Sequence, residues 1–196
     1  MRQKDLVRVF SRMPVLNTAR LEMRRMLPQD SYDMYEYACR PDVTRYLTWN
    51  PHPSREYTRE YLEYLAGRYR AGEFYDWALI WCANGEMYRK MIGTCGFTRF
   101  DLANNSAEVG YVINPDYSGR GVATEAVRRV LHFGFEDLRL HRIEAKYIIG
   151  NDASRRVMEK VGMHYEGTHR GSMLIKGIYR DIGICAILED EYRAQK

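Results

Sequence analysis

Between residues 107 and 149 the hydrophobic pattern changes period twice, and this restricts the fold more than any other feature. Residues 107–113 read as a strand, apolar apart from Glu108 and Gly110. Ala123, Ala126, Val127, Val130, Leu131, Gly134, Phe135 and Leu138 then mark one face of a helix over about 121–138. Strand-like alternation follows as Ile143, Ala145, Tyr147 and Ile149 interleave with Arg142, Glu144 and Lys146. A strand, a helix and a second strand in this order predict a right-handed crossover to a parallel neighbour. Strands at 76–81 and 91–100, with turn signals at Asn84-Gly85 and Asn104-Asn105, add an antiparallel meander of three strands ending at 113.

The remaining elements follow from punctuation. Arg20-Leu21-Glu22-Met23-Arg24 reads as a half-buried strand, and a helix is expected over 29–39. Ser54 is placed to cap a helix that Gly72 ends. A short helix over 152–161 and strands at 163–170 and 181–188 complete the pattern. The class is α/β, or α+β with one parallel pair inside a mixed sheet. Residues 1–14 read as an N-terminal extension, 15–190 as one domain and 191–196 as a tail.

Composition narrows the function. The hydrophobic share of 45% suits a globular core, and no apolar run approaches membrane-spanning length. The charged start lacks a signal-peptide core, so a cytoplasmic protein is expected. A formal net charge of +4, with both signs mixed along the chain, does not form the basic stripe of a nucleic-acid protein. Cys39, Cys82, Cys95 and Cys185 form no Cys-x-x-Cys pair, and no histidine pair has ligand spacing, so no metal is expected.

The chemistry lies in Glu108-Val109-Gly110-Tyr111-Val112-Ile113-Asn114-Pro115-Asp116-Tyr117-Ser118-Gly119-Arg120-Gly121-Val122-Ala123-Thr124-Glu125-Ala126. A strand ends, a loop of small residues follows, and a helix begins. First-turn amides lack partners within the helix and sit at the positive end of its dipole. Gly119, Arg120, Gly121, Val122, Ala123 and Thr124 therefore have the parts of a diphosphate cradle. No Lys-Ser or Lys-Thr follows the glycines, as an NTP-binding P-loop requires. A dinucleotide fingerprint fits poorly, because five residues separate the strand from Gly119 and Glu144 falls early in its strand.

The segment resembles motif A of the GNAT acetyltransferase superfamily, with Ser118-x-x-Gly121-x-Ala123 matching its last two positions and departing at the first. Asn17-Thr18-Ala19-Arg20-Leu21-x-Met23-Arg24, Glu108-Val109-Gly110-Tyr111, Asn151-x-x-Ser154, Gly162-Met163-x-x-Glu166-Gly167 and Tyr179-x-Asp181 follow in the order of its RimJ/RimL-type branch. The resemblance covers about 15–188. It implies a GNAT fold with a splayed parallel strand pair, and acetyl-coenzyme A as co-substrate. It also implies transfer of the acetyl group to an amine.

On that reading the pantetheine arm pairs with the strand carrying Tyr111, Val112 and Ile113, and the diphosphate sits on 119–124. Glu108 is the candidate base. Asn151 would hold the cofactor and Ser154 would meet the thiol sulfur, while each reads equally as an N-cap and a first-turn serine. Tyr111 or Tyr147 could supply the proton instead, and Arg156 is a candidate phosphate contact. Tyr46, Trp49 and His52 lie in the region expected to line the acceptor site. The expected partner is the amine acceptor alone, with the chain a monomer or homodimer. An α-amine, with a pKa near 7.7–8.0 against about 10.4 for lysine, is the acceptor a weak carboxylate base serves most easily. With the branch resemblance, this favours a protein N-terminus. A small amine such as a polyamine, amino sugar or antibiotic is the alternative, and a non-catalytic acyl-CoA-binding module a further one.

Overall fold

The computed structural model describes residues 2–82 and 89–195. The chain runs α1 (Gln3–Phe10), β1 (Leu16–Asn17), β2 (Leu21–Arg24), α2 (Ser31–Ala38), α3 (Pro41–Thr44), α4 (Arg55–Ala71), β3 (Tyr75–Trp81), β4 (Met91–Asp101) and β5 (Ser106–Ile113). It continues through α5 (Val122–His132), β6 (Arg142–Ile148), α6 (Asp152–Lys160), β7 (His164–Ile175), β8 (Ile178–Leu188) and α7 (Glu189–Ala194). The eight strands form one sheet in the order β1-β2-β3-β4-β5-β6-β8-β7. The expected meander is β3-β4-β5, and β5 to β6 is the one parallel pairing between neighbours in that order. The turn expected at Asn84-Gly85 lies outside the described residues.

Local rules account for most boundaries. Ser54 accepts a hydrogen bond from the Tyr57 amide and caps α4, while Gly72, at φ +69°, ends it in the left-handed conformation. The helix expected over 121–138 is regular only to His132 and widens into a π-turn over Phe133–Asp137. A Cβ on Gly134 would lie 2.6 Å from Ile143 Cδ1, so the glycine lets this turn press onto the sheet. The two strands expected at 163–170 and 181–188 are a single long hairpin. Each extends toward a turn at Lys176-Gly177, where both residues have positive φ (51° and 78°). That is the backbone of a tight hairpin turn, in a pair without the usual asparagine.

Residues 1–14, expected as an extension, contribute α1, whose Leu6 and Phe10 are fully buried. Phe10 meets Tyr75, Trp77, Phe100 and Phe133 at ring-centroid distances of 4.8–6.3 Å. α1, α3, β1 and α7 are too short to announce themselves by periodicity.

Register sets up the site. Asp76 pairs with Gly96, and Gly96 with Gly110. Glu108 pairs with Glu144 across the parallel junction. Since side chains alternate, Asp76, Thr94, Gly96, Glu108, Gly110, Val112, Glu144, Lys146 and Ile148 share one face. Tyr111, Ala145 and Tyr147 share the other. The β5–β6 pairing covers only Ser106–Val109 and Arg142–Ala145. Beyond Val109 and Ala145 the two strands carry no pairing with each other and open a gap in the sheet.

Candidate active site

A cavity of about 460 Å³ occupies that gap. Gly110, Tyr111 and Val112 of β5 line one wall, and Lys146, Tyr147 and Ile148 of β6 the other. Asn151 and Ser154 line it from α6, and Tyr46, Trp49 and His52 from the loop before α4. Residues expected to serve cofactor and acceptor are thus brought together through the sheet.

Glu108 does not stand alone. Its Oε2 accepts a hydrogen bond from Lys146 Nζ at 2.6 Å, and its Oε1 one from the Thr98 hydroxyl at 3.0 Å. Burial pushes the Lys146 ammonium down. The hydrogen bond from Lys146 to Glu108 and the nearby charges of Glu108 and Glu144 outweigh it and hold the lysine above its ordinary value. Sequence reading placed Lys146 in an alternating strand without assigning it a role. The signal was available in the pairing of its strand with the one bearing Glu108, two positions along from Glu144.

On the other face, the Tyr111 hydroxyl lies 2.8 Å from Ser154 Oγ and donates to the Ser154 carbonyl at 2.9 Å. Burial raises the Tyr111 phenol well above its usual value, and the Ser154 hydrogen bond only partly offsets this. Ser154 and Tyr111, read as alternatives, are one hydrogen-bonded unit. Asn151 caps α6, its side chain accepting from the Ser154 amide at 3.2 Å. Arg156 is exposed on the same helix.

The loop expected to hold the diphosphate is braced from outside. Gly119 and Gly121 have φ of +75° and +76°, and Gly121 precedes the first turn of α5. Arg20 donates to the Arg120 carbonyl at 2.9 Å and to Glu125 Oε2 at 2.7 Å, and the Thr18 hydroxyl reaches Glu125 Oε1 at 2.6 Å. No Cβ added at Gly119 would find an atom within 4 Å, and one at Gly121 would meet only Arg20, at 3.7 Å. The loop thus leaves open space before a helix start. The Arg120 guanidinium lies 5.5 Å above the Tyr117 ring. A groove beside it is lined by Arg20, Thr124, Arg128, Arg129 and Lys160, and buried Arg129 Nη1 makes no hydrogen bond among the described residues. Cation-rich walls beside a helix N-terminus suit a phosphorylated ligand.

A strand gap leading from such a loop to a carboxylate is the geometry the resemblance implied. The Acetyltransferase (GNAT) domain family matches residues 20–164. The chain belongs to the GNAT acetyltransferase family.

Its relatives carry the activity in their names. It is 31% identical over 180 residues to Uncharacterized N-acetyltransferase p20 of Bacillus licheniformis, covering 92% of this chain and 99% of that protein. It is 28% identical over 104 residues to a spermidine N(1)-acetyltransferase of Vibrio cholerae, covering 53% of this chain and 60% of that one. Among solved structures, the RimL ribosomal L7/L12 α-N-protein acetyltransferase bound to coenzyme A superposes with a TM-score of 0.75 at 18% identity. That match covers 91% of this chain and 99% of that chain, and shows the shared fold. The protein is an acetyl-CoA-dependent N-acetyltransferase of the GNAT family. No helix among the described residues is long and apolar enough to cross a membrane.

Two cavity residues escaped sequence reading. Tyr37 is only 1% exposed, and its hydroxyl makes no hydrogen bond among the described residues. Asp76 is the second residue of β3, and its Oδ1 is sealed from solvent without a hydrogen bond among the described residues. An acid near the start of an otherwise apolar strand was the available signal. His52, expected to shape the acceptor site, is also a structural peg, its Nδ1 lying 2.9 Å from the Thr58 hydroxyl. Burial lowers its pKa, so it is an uncharged wall.

Proposed function

We propose that this acetyltransferase acetylates a compact primary amine seated against Glu108 and Lys146, with its body among Tyr37, Trp49 and Tyr61. The observation that carries the reading is the cavity, whose size suits a small ligand and whose inner residues are aromatic and acidic. A protein N-terminus, favoured from sequence, would need a groove for its following residues. The RimL and spermidine proteins are named for different acceptors, and it is the cavity that favours a compact amine here.

Acetyl-coenzyme A supplies the acetyl group already activated on sulfur. The amides of the first turn of α5, with Arg120, would hold its diphosphate. Glu108 takes the proton of the incoming amine, directly or through water. Lys146 does two things there. It donates a hydrogen bond to Glu108 and fixes the carboxylate in place, and its positive charge disfavours a second cation nearby, so an amine between them sheds its proton more readily. Across the gap, the Tyr111–Ser154 pair holds a proton for the departing thiolate, and the raised Tyr111 pKa keeps that proton in place until it is needed.

Glu108→Gln is therefore expected to lower kcat by about 100-fold or more while leaving coenzyme A affinity nearly unchanged. Thiol release under saturating acetyl-coenzyme A, with calorimetry for binding, measures both. Unchanged turnover at every pH would remove Glu108 from the reaction.

A further inference from the structure

We propose that the acceptor is an aliphatic diamine or polyamine, and that Asp76 anchors the nitrogen that does not react. The inference rests on the function proposed above and names its substrate class.

Asp76 and Glu108 project from the same face of the sheet. Asp76 pairs with Gly96, and Gly96 with Gly110, so neither intervening strand adds a Cβ to the strip between Asp76 and the reacting end of the cavity. Asp76 Oδ1 and Thr98 Cγ2 flank it, each 2.8 Å from where a Cβ on Gly96 or Gly110, respectively, would lie. Two strand spacings separate Asp76 from Gly110, roughly 10 Å. Thr94, two residues from Gly96, and the Trp77 backbone are the polar neighbours of the Asp76 carboxyl, and neither carries charge. Both Asp76 and Tyr37 line the cavity, and each has a buried polar atom without a partner among the described residues. A buried acceptor and a buried hydroxyl left unmatched are costly, and a ligand that supplies donors removes that cost.

The surroundings specify the donor. Once ionised, Asp76 has no cation hydrogen-bonded to it among the described residues. Met26, Met34, Tyr37 and Tyr61 line the same cavity. Tyrosine faces and methionine stems accommodate methylenes and an alkylammonium, by apolar contact and by cation–π attraction. A neutral or anionic tail would leave the carboxylate unmatched. An ammonium at Asp76 and a second nitrogen at Glu108 and Lys146 use both ends of the strip. The two ends also differ: at the reacting end Lys146 is ion-paired with Glu108 and Glu144 and partly neutralises them, while no ion pair among the described residues engages Asp76. A cationic nitrogen is therefore held more strongly at Asp76 than where chemistry occurs.

The test compares diamines with monoamines of equal length: putrescine with butylamine, cadaverine with pentylamine, and hexamethylenediamine with hexylamine. Acetyl-coenzyme A turnover is read as kcat/KM. The wild-type protein is expected to prefer the diamine in at least one pair by roughly tenfold or more, mainly through KM. In Asp76→Asn the diamine-to-monoamine ratio is expected to fall toward one, with a melting curve confirming the fold. Equal rates across all three pairs in the wild type overturn the proposal without any variant. So does a ratio that survives in Asp76→Asn, or a peptide beginning with serine or alanine that is a better acceptor than every diamine. Peptide turnover with normal acetyl-coenzyme A binding would sink the diamine inference while leaving the enzyme standing. No binding heat and no turnover of any amine would sink both.

Discussion

Gly121→Glu is expected to weaken coenzyme A binding by about a thousandfold, with the fold intact. Gly121 holds φ at +76°, immediately before α5. A side chain there meets no backbone, its nearest contact being Arg20 Nη2 at 3.7 Å. The left-handed conformation costs a non-glycine residue about 1–2 kcal/mol, which an exposed loop tolerates. Ligand binding bears the larger cost. Like charges about 4 Å apart at an effective dielectric of 20 repel by about 4 kcal/mol, which is about three powers of ten in affinity. The carboxylate would also compete for Arg20, which braces Arg120 and Glu125. Gly121→Ala carries the same backbone strain without the charge and is expected to lose far less. Calorimetry with coenzyme A on both variants separates the two contributions. Tight binding by the glutamate variant would refute the placement of the diphosphate.

Asp76→Asn is expected to stabilise the unliganded protein above neutral pH. Burial raises the Asp76 pKa from 3.8 to about 7, and the Thr94 hydrogen bond only partly opposes this. Between those values the folded chain keeps a proton that the unfolded chain has released. Stability contributed by this group is therefore complete below pH about 4, is lost as pH rises to about 7, and levels off beyond. A difference of about three pKa units is worth up to about 4 kcal/mol. The residue as a whole is half-buried, so the realised gain is expected to be smaller. Asparagine keeps the shape and removes the charge. Urea unfolding at pH 5 and pH 8 is expected to show the variant's advantage grow between them, to a few kcal/mol. A variant no more stable than the wild type at pH 8 would mean that the Asp76 charge is already compensated in the fold. The same penalty that makes this carboxylate costly when empty makes it a strong anchor when an ammonium arrives.

The proposed cofactor half of the site could be read from the sequence because its residues lie close together along the chain. Glu108, Tyr111, the two glycines and the first turn of α5 lie within one short stretch, where the change of period and the small-residue loop announce a cradle. Asn151 and Ser154 were placed correctly on their helix, but their hydrogen bonds depend on where Tyr111 lies across the gap. The acceptor half was illegible for the opposite reason. Lys146 matters only because the parallel register sets its strand beside that of Glu108. Asp76 matters only because Gly96 and Gly110 line up across two strands. Neither relation has a spacing along the chain. The long β7–β8 hairpin was missed because Gly171 and the exposed run around it interrupt alternation, while the ladder resumes beyond.

Lys176, in the turn of that hairpin, donates to the Thr44 carbonyl at 2.6 Å, while Met173, Ile175 and Ile182 help wall a chamber that also touches Met26. Its enclosure is therefore stitched from segments some 150 residues apart in sequence, and even the proposed diphosphate loop is braced from 100 residues away by Arg20. Closing such distant contacts slows folding. Neither the proposed seat of the acyl donor nor the enclosure of the acceptor is complete until β2 and the β7–β8 hairpin have joined the sheet.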